Sequence, residues 1–273
     1  MLTKEQLGAA VKKGEIDTVV VAFTDMQGRL MGKRVDAEYF MESAAKGEAV
    51  EGCNYLLAVD MDMDPVPGYA MANWESGYGD FDMVPDFATL RRIPWLEGTA
   101  LVLSDVAWHD RSPVKPSPRQ VLRAQVERAK AMGFEPMFGT ELEFYLMKDT
   151  FAEAHAKNYS NLTPSVHYIL DYHVLATSYD EPFIRAVRNG MKEAGIKVES
   201  SKGEAWPGQQ EINFHFCGCA DDGRQPRHLQ ERDQGDGAPT RLLRDLHGQA
   251  RPPLDRQLVS HPFEPLEGRP QHI

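Results

Sequence analysis

Two short stretches hold the residues best able to do chemistry. Gly139-Thr140-Glu141-Leu142-Glu143-Phe144 and Gly203-Glu204-Ala205-Trp206-Pro207-Gly208-Gln209-Gln210-Glu211-Ile212-Asn213-Phe214 each read as a strand, or as a loop running into one. Successive side chains of a strand point to opposite faces. Glu141 and Glu143 therefore share a face with Gly139 and Tyr145, whereas Phe138, Leu142, Phe144 and Leu146 turn toward a core. In the second stretch Gln209, Glu211, Asn213 and His215 line one face, and Ile212, Phe214 and Phe216 the other. Carboxylates crowded into an apolar framework repel one another unless a cation sits between them or one takes up a proton. A single such pair is ordinarily a solvated face. Two pairs, each backed by apolar residues, point to a hard-metal site at Glu141, Glu143, Glu204 and Glu211. Oxygen-only ligands favour magnesium or manganese over zinc. A metal-dependent hydrolase would need a base or nucleophile beside these acids, and His215 is the nearby candidate.

The elements that must position these residues are legible in outline. Lys4 to Lys13 reads as a short helix stopped by Gly14. Thr18 to Phe23 is a β-rich run that turns at Asp25-Met26-Gln27-Gly28 and returns through Leu30 to Val35, a hairpin signal. Tyr39 to Lys46 is expected as helix, Tyr55 to Val59 as strand and Thr99 to Asp105 as strand. Ser117 is placed to cap a helix with Pro118 at its first position and Gly133 just past its end. Its apolar face is Val121, Leu122, Val126, Ala129 and Met132. Asp180 opens a second helix through Ile184, Val187 and Met191 to Gly195. Helices flanking an antiparallel sheet make an α+β fold. The alternating acids Asp60, Asp62 and Asp64 do not form an EF-hand, because Pro65 stands where a glycine is needed and Met71 where a bidentate glutamate is needed.

Composition narrows the partners. A chain of 273 residues with a formal net charge of −11 is not built for phosphate backbones, which select Lys/Arg-rich surfaces, so no nucleic-acid partner is expected. No apolar run approaches membrane-spanning length, and Met1-Leu2-Thr3-Lys4-Glu5-Gln6 lacks the apolar core of a secretory signal. Cys53, Cys217 and Cys219 make neither a disulfide framework nor a zinc spacing. The expected location is a reduced cytoplasm.

The strings GTELEF and GEAWPGQQEINF resemble the two metal-binding segments of the glutamine synthetase family. Pro85-Asp86-Phe87-Ala88-Thr89-Leu90-Arg91-Arg92-Ile93-Pro94-Trp95 and the turn Asp25-Met26-Gln27-Gly28-Arg29 are similar to that family as well, in family order from about Asp17 to Phe216. The resemblance implies an N-terminal β-grasp domain over 15–108 and the first half of a glutamine-synthetase-type catalytic half-barrel over 113–217. It implies an ATP-dependent ligase that joins L-glutamate to ammonia or an amine through γ-glutamyl phosphate. By resemblance, Glu143, Glu204 and Glu211 hold one divalent ion, magnesium or manganese. Glu141 holds a second, together with a histidine, and Glu199 contacts ATP. It further implies a ring-shaped homo-oligomer in which a loop reaches the neighbouring subunit's site, with Trp74 to Asp80 as the candidate stretch. Asn54-Tyr55-Leu56-Leu57 and the segment Trp74 to Phe81 look more like the γ-glutamyl-amine ligases of the family than its housekeeping members.

After Phe216 the text changes. From Gly218 to Ile273 there is no Lys, Met, Tyr or Trp, and seven prolines appear. Read from the second base of each codon, Asp255 to Leu266 permits Ile-Gly-Asn-Ser-Cys-His-Ile-His-Ser-Ser-Leu, which resembles the family's catalytic histidine motif. The same shift makes Asp222 to Gln230 family-like. A frameshift between about Phe216 and Asp222 is therefore expected, with 218–273 an aberrant tail that forms no packed part. On that reading the family's catalytic residues lie out of frame, and the alternative function is an inactive fragment keeping a metal and nucleotide half-site.

Overall fold

The computed structural model describes residues 1–73, 75, 77–218 and 257–259. It is a mixed α/β fold. The elements run α1 (Lys4–Lys12), β1 (Thr18–Thr24), β2 (Leu30–Asp36), α2 (Ala37–Lys46), β3 (Val50–Cys53), β4 (Asp80–Pro85), β5 (Arg91–Arg92), β6 (Thr99–Ala107), α3 (Pro118–Ala131), β7 (Met137–Phe138), β8 (Glu141–Met147), α4 (Phe151–Ala156), α5 (Val174–Thr177), α6 (Glu181–Glu193), β9 (Val198–Gly203), β10 (Gln209–Phe214), β11 (Cys217–Gly218) and β12 (Gln257–Val259). By packing, one compact unit is built on Met1–Thr140 with Ala186–Val198, and the other on Glu141–Arg185 with Glu199–Asn213.

The first unit carries a sheet in the order β2-β1-β6-β4-β3, with β5 beside β6. β1 and β6 are parallel neighbours and are buried on both faces, as their unbroken apolar runs require. One face meets Phe40 of α2 and Leu7 of α1 through Val19, Val21, Phe23 and Val102, all fully or nearly fully buried. Gly14 ends α1, and Gly47 ends α2, in the left-handed conformation that glycine adopts without steric cost.

The hairpin turn between β1 and β2 is a buried ionic knot. Asp25 is fully buried and pairs with Arg29 at 2.7 Å (Nε to Oδ2). Its other oxygen accepts from the backbone N–H of Gln27 at 3.0 Å and of Arg29 at 2.8 Å. Arg29 then donates to the carbonyls of Asp60 and Met61, each at 2.8 Å, and Gln27 Nε2 donates to Val59 O at 2.8 Å. The turn thus fastens the loop of alternating acids. In that loop Asp60 accepts from the N–H groups of Asp62 and Asp64, a local turn.

Several expectations are corrected. Tyr55 to Val59 is not a strand. Asn54–Leu57 forms a 3-10 turn, and the strand comes earlier, at Val50–Cys53. The Asn54 amide donates to Met71 O and its N–H to Gly79 O, so the loop captures the chain and overrides the β preference of Tyr55 and Leu56. β4, which the sequence reading missed, buries Phe81 and Met83 on either side of the polar Asp82. Ser117 precedes Pro118 at the start of α3, but its side chain makes no capping hydrogen bond. The helix is held instead by Arg119, which reaches Asp86 at 2.9 Å and Asp105 at 3.2 Å, and by Arg123 on Asp105 at 2.7 Å. Of its apolar face only Val126 is buried, and Val121 and Met132 are exposed. Phe138 is exposed rather than in a core, because it lies in the two-residue β7, which among the described residues pairs with the equally short β11.

The second unit carries a sheet in the order β12-β8-β10-β9. The expectations for Trp74 and for most of 218–273 lie outside the described residues. Two parts of that tail are described: Gly218 pairs with Met137, and Gln257–Val259 pairs antiparallel with β8, opposite Met147, Leu146 and Tyr145. Those pairings depart from a tail with no packed part. They follow from β8 having a second edge, opposite β10, with free backbone groups to pair. Ile212 is fully buried, whereas Phe216 is exposed.

Candidate metal centre

The site is built on β8 and β10, and a tight turn decides their register. Trp206, Pro207, Gly208 and Gln209 close a turn in which Gln209 N–H donates to Trp206 O at 3.1 Å. Pro207 and Gly208 occupy the two central positions, and Gly208 has φ +77°, the Pro-Gly order of a type II turn. A Cβ on Gly208 would lie 2.7 Å from Leu146 O, while Gly208 O accepts from Leu146 N–H at 2.8 Å. No other residue fits there. Gly208→Ala is therefore expected to cost about 1–2 kcal/mol for the left-handed backbone, with a further cost from the clash. A thermal melt and a manganese titration should both register it.

From this turn the register runs Gln209↔Tyr145, Gln210↔Phe144, Glu211↔Glu143, Ile212↔Leu142 and Asn213↔Glu141. Glu211 and Glu143 are thus directly opposed on one face, with Glu141 one diagonal away. Carboxylate oxygens of Glu141, Glu143 and Glu211 all lie within 4.8 Å of one another. Glu141 and Glu143 are exposed and Glu211 is buried. Behind them the other face is apolar, with Phe144, Leu146 and Ile212 almost wholly buried.

The amides on this face bind the acids. Gln209 Nε2 donates to Glu143 Oε2 at 2.8 Å, and Asn213 Nδ2 donates to Glu211 Oε1 at 2.7 Å. Ser200 Oγ donates to Asn213 Oδ1 at 2.8 Å and orients that amide. Gln210, on the opposite face, donates to Asp180 at 3.1 Å, and Asp180 also accepts from Ser165 at 2.7 Å. This buried network anchors β10 from behind. Such supporting hydrogen bonds hold ligands in one rotamer and raise their affinity for a metal.

Glu204 reaches the cluster from the loop after β9. It hydrogen-bonds with Glu211, and both accept from Lys202, whose Nζ is hydrogen-bonded to Glu204 and lies 3.4 Å from Glu211 Oε2. Burial pushes the Glu211 carboxyl up, and its hydrogen bond to Glu204 adds to this. Glu204 is held below the usual carboxylate range by the hydrogen bonds from Glu211 and Lys202. Burial would lower Lys202, but its bonds to both glutamates win and raise it. Desolvation, helped by the charge on Glu143, raises the Tyr145 phenol. The donor set fits a hard divalent ion: oxygen-only, clustered and already holding one cation, the Lys202 ammonium.

Of the five residues singled out from sequence, Glu141, Glu143 and Glu211 are brought together directly, and Glu204 joins through Glu211 and Lys202. Glu199 is not brought to the cluster. Ser200 and Lys202 face β10's acids and amide, so by strand alternation Glu199 points to the other side of β9, where it is exposed. The sequence reading missed Lys202. Its spacing was the available signal, since a residue two before Glu204 falls on the same side of an extended chain. His215 lies beyond β10, its N–H donating to Lys197 O at 2.9 Å, and is not among the clustered ligand atoms.

Residues 115–222 match the family model described as the glutamine synthetase catalytic domain. The chain is 54% identical over 212 residues to a gamma-glutamylethanolamide synthetase, GlnA4, of Streptomyces coelicolor, covering 78% of this chain and 46% of that relative. It is 35% identical over 206 residues to a glutamate–isopropylamine ligase of a Pseudomonas species, covering 76% of this chain and 45% of the relative. The chain thus spans about half the length of the curated relatives it matches. Among solved structures, the GmaS/ADP complex superposes with a TM-score of 0.67 at 18% identity, over 93% of this chain and 50% of that one, a likeness of fold alone.

Proposed function

The chain belongs to the glutamine synthetase family, and we propose on that footing that the protein it represents is an ATP-dependent ligase forming γ-glutamyl amides. The γ-carboxylate of glutamate attacks the terminal phosphorus of ATP and releases ADP. The nitrogen of ammonia or an amine then attacks the acyl carbon. The bond from that carbon to the phosphate oxygen breaks to release phosphate, and the nitrogen gives up one proton to leave the amide. The observation that carries this reading is the register that sets Glu211 against Glu143, with Glu141 beside them, inside the family-matched segment.

In this reading Glu143, Glu204 and Glu211 hold one magnesium or manganese ion, and Glu141 holds a second. Bound ions supply charge neutralisation for the phosphates and polarise the acyl-phosphate oxygens. The chain's own residues orient that chemistry. Gln209 and Asn213 fix the carboxylates, Asp180 and Gln210 brace the strand, and the apolar face keeps the acids pointing one way. Glu199, exposed on the other side of β9, is proposed to contact ATP. The first unit is proposed to be the family's β-grasp domain, and assembly is proposed to be a ring of cytoplasmic subunits.

The acceptor is proposed to be a small primary amine. This is supported by two relatives, one named for a gamma-glutamylethanolamide product and one for isopropylamine as the amine ligated, the first sharing 54% of matched residues. Phosphate release by the complete, frame-restored protein, measured with ATP and glutamate against ammonia, ethanolamine, isopropylamine and a polyamine, tests it. Release dependent on glutamate and greatest with one of the amines is expected. ATP hydrolysis indifferent to glutamate would sink the ligase reading, and preference for ammonia would sink the amine reading alone.

A further inference from the structure

We propose that the Lys202 ammonium occupies, in the ion-free protein, the position between Glu204 and Glu211 that a divalent ion takes, and that it moves onto Asp171 and the Tyr172 ring when the ion binds. This rests on the metal reading above and adds a competitor, and a place for that competitor to go.

Lys202 stands between two sets of partners. On one side are Glu204 and Glu211, the second with Oε2 3.4 Å from Nζ. On the other are Asp171, with Oδ1 at 4.0 Å, and the ring of Tyr172, with its centroid 4.6 Å from Nζ. An ammonium and a divalent ion repel at these separations and cannot share one pair of carboxylates. The flexible four-carbon stem of lysine allows a short swing without moving the backbone. Its alternative position offers a carboxylate and an aromatic face, both of which attract a cation.

The backbone holds that second position in place. Leu170 N–H donates to Glu204 O at 3.2 Å and Tyr172 N–H to Gly203 O at 3.3 Å, so the segment carrying Asp171 is stitched along the end of β9. Gly203 permits this approach, because a Cβ there would lie 2.5 Å from both Leu170 Cβ and Leu170 O. Tyr172 itself takes a left-handed backbone, φ +54°, that a tyrosine rarely adopts. Such strain at a ring that the lysine already faces accords with a functional constraint on its position.

The test is a calorimetric titration with manganese alone on the chain and on its Lys202→Met and Tyr172→Leu forms. Lys202→Met removes the competitor and is expected to tighten manganese binding roughly tenfold, within the range that residues behind a metal site command. Tyr172 is 74% exposed, so Tyr172→Leu should fold. It removes part of the alternative position and is expected to weaken manganese binding several-fold while leaving every carboxylate in place. Binding that is unchanged or weaker in Lys202→Met, or unchanged in Tyr172→Leu, would overturn the proposal. Manganese binding to none of the three proteins would overturn the metal reading itself, and this inference with it.

Discussion

Replacing Glu143 by Gln should weaken manganese binding on the order of 100-fold, the upper end of what even residues behind a metal site command. The substitution keeps the size of the side chain and its contact with the Gln209 amide but removes one negative charge from a cluster confined within 4.8 Å. Without metal the variant should be no less stable than the parent, because Glu143 adds a negative charge beside Glu141 and Glu211 while the Lys202 ammonium sits at Glu204 and Glu211. Calorimetry measures the first effect, and a thermal melt with and without manganese the second. An unchanged affinity would mean that the ion, if one binds, sits elsewhere. A companion effect follows from Glu211, whose carboxyl burial and Glu204 push up. Such a carboxyl keeps its proton to higher pH, and an ion there competes with that proton, so affinity should fall as the pH drops and should begin to fall at a higher pH than for a site of ordinary carboxylates.

The second large effect lies far from the acids, at the hairpin turn. Asp25→Ala should destabilise the protein by about 3–5 kcal/mol, the range for removing one partner of a buried ion pair. Asp25 is fully buried and accepts three hydrogen bonds, and its loss leaves the Arg29 guanidinium, only 7% exposed, without its carboxylate. The same arginine carries the loop through the carbonyls of Asp60 and Met61. The loop should therefore loosen before the sheet does, seen as early hydrogen exchange of the Asp62 and Asp64 amides. A double replacement of Asp25 and Arg29 by apolar residues should be markedly less harmful than Asp25→Ala alone, since it leaves no stranded charge. If the single and double variants melt alike, the knot is not what secures the turn.

How much of this was legible beforehand depends on the range of the interactions involved. Local and periodic features read directly from the text. Helix α1 ending at Gly14, the Asp25–Gly28 turn, Pro118 opening α3 and the alternation along β8 and β10 are set by neighbours a few residues apart. So are the shared faces of Glu141 with Glu143 and of Glu211 with Gln209 and Asn213. Features that depend on a distant partner were misread. Asn54–Leu57 is a turn because Met71 and Gly79 hold Asn54, and no local preference of Tyr-Leu-Leu records that. β4 was overlooked because Asp80 and Asp82 mask two residues, Phe81 and Met83, that are buried only once β3 and β6 flank them.

At the metal centre the division is sharper. By itself the sequence determined which residues could be ligands, which face of each strand they share, and that their chemistry is oxygen-only. The tertiary structure alone decided that Glu211 stands opposite Glu143, because that register depends on Gly208 meeting Leu146 across the sheet. It also decided that Glu199 faces away and that Lys202 lies among the acids. An alternating pattern tells which side of its own strand a residue takes, but a contact between strands is set by backbone pairing between residues more than sixty positions apart.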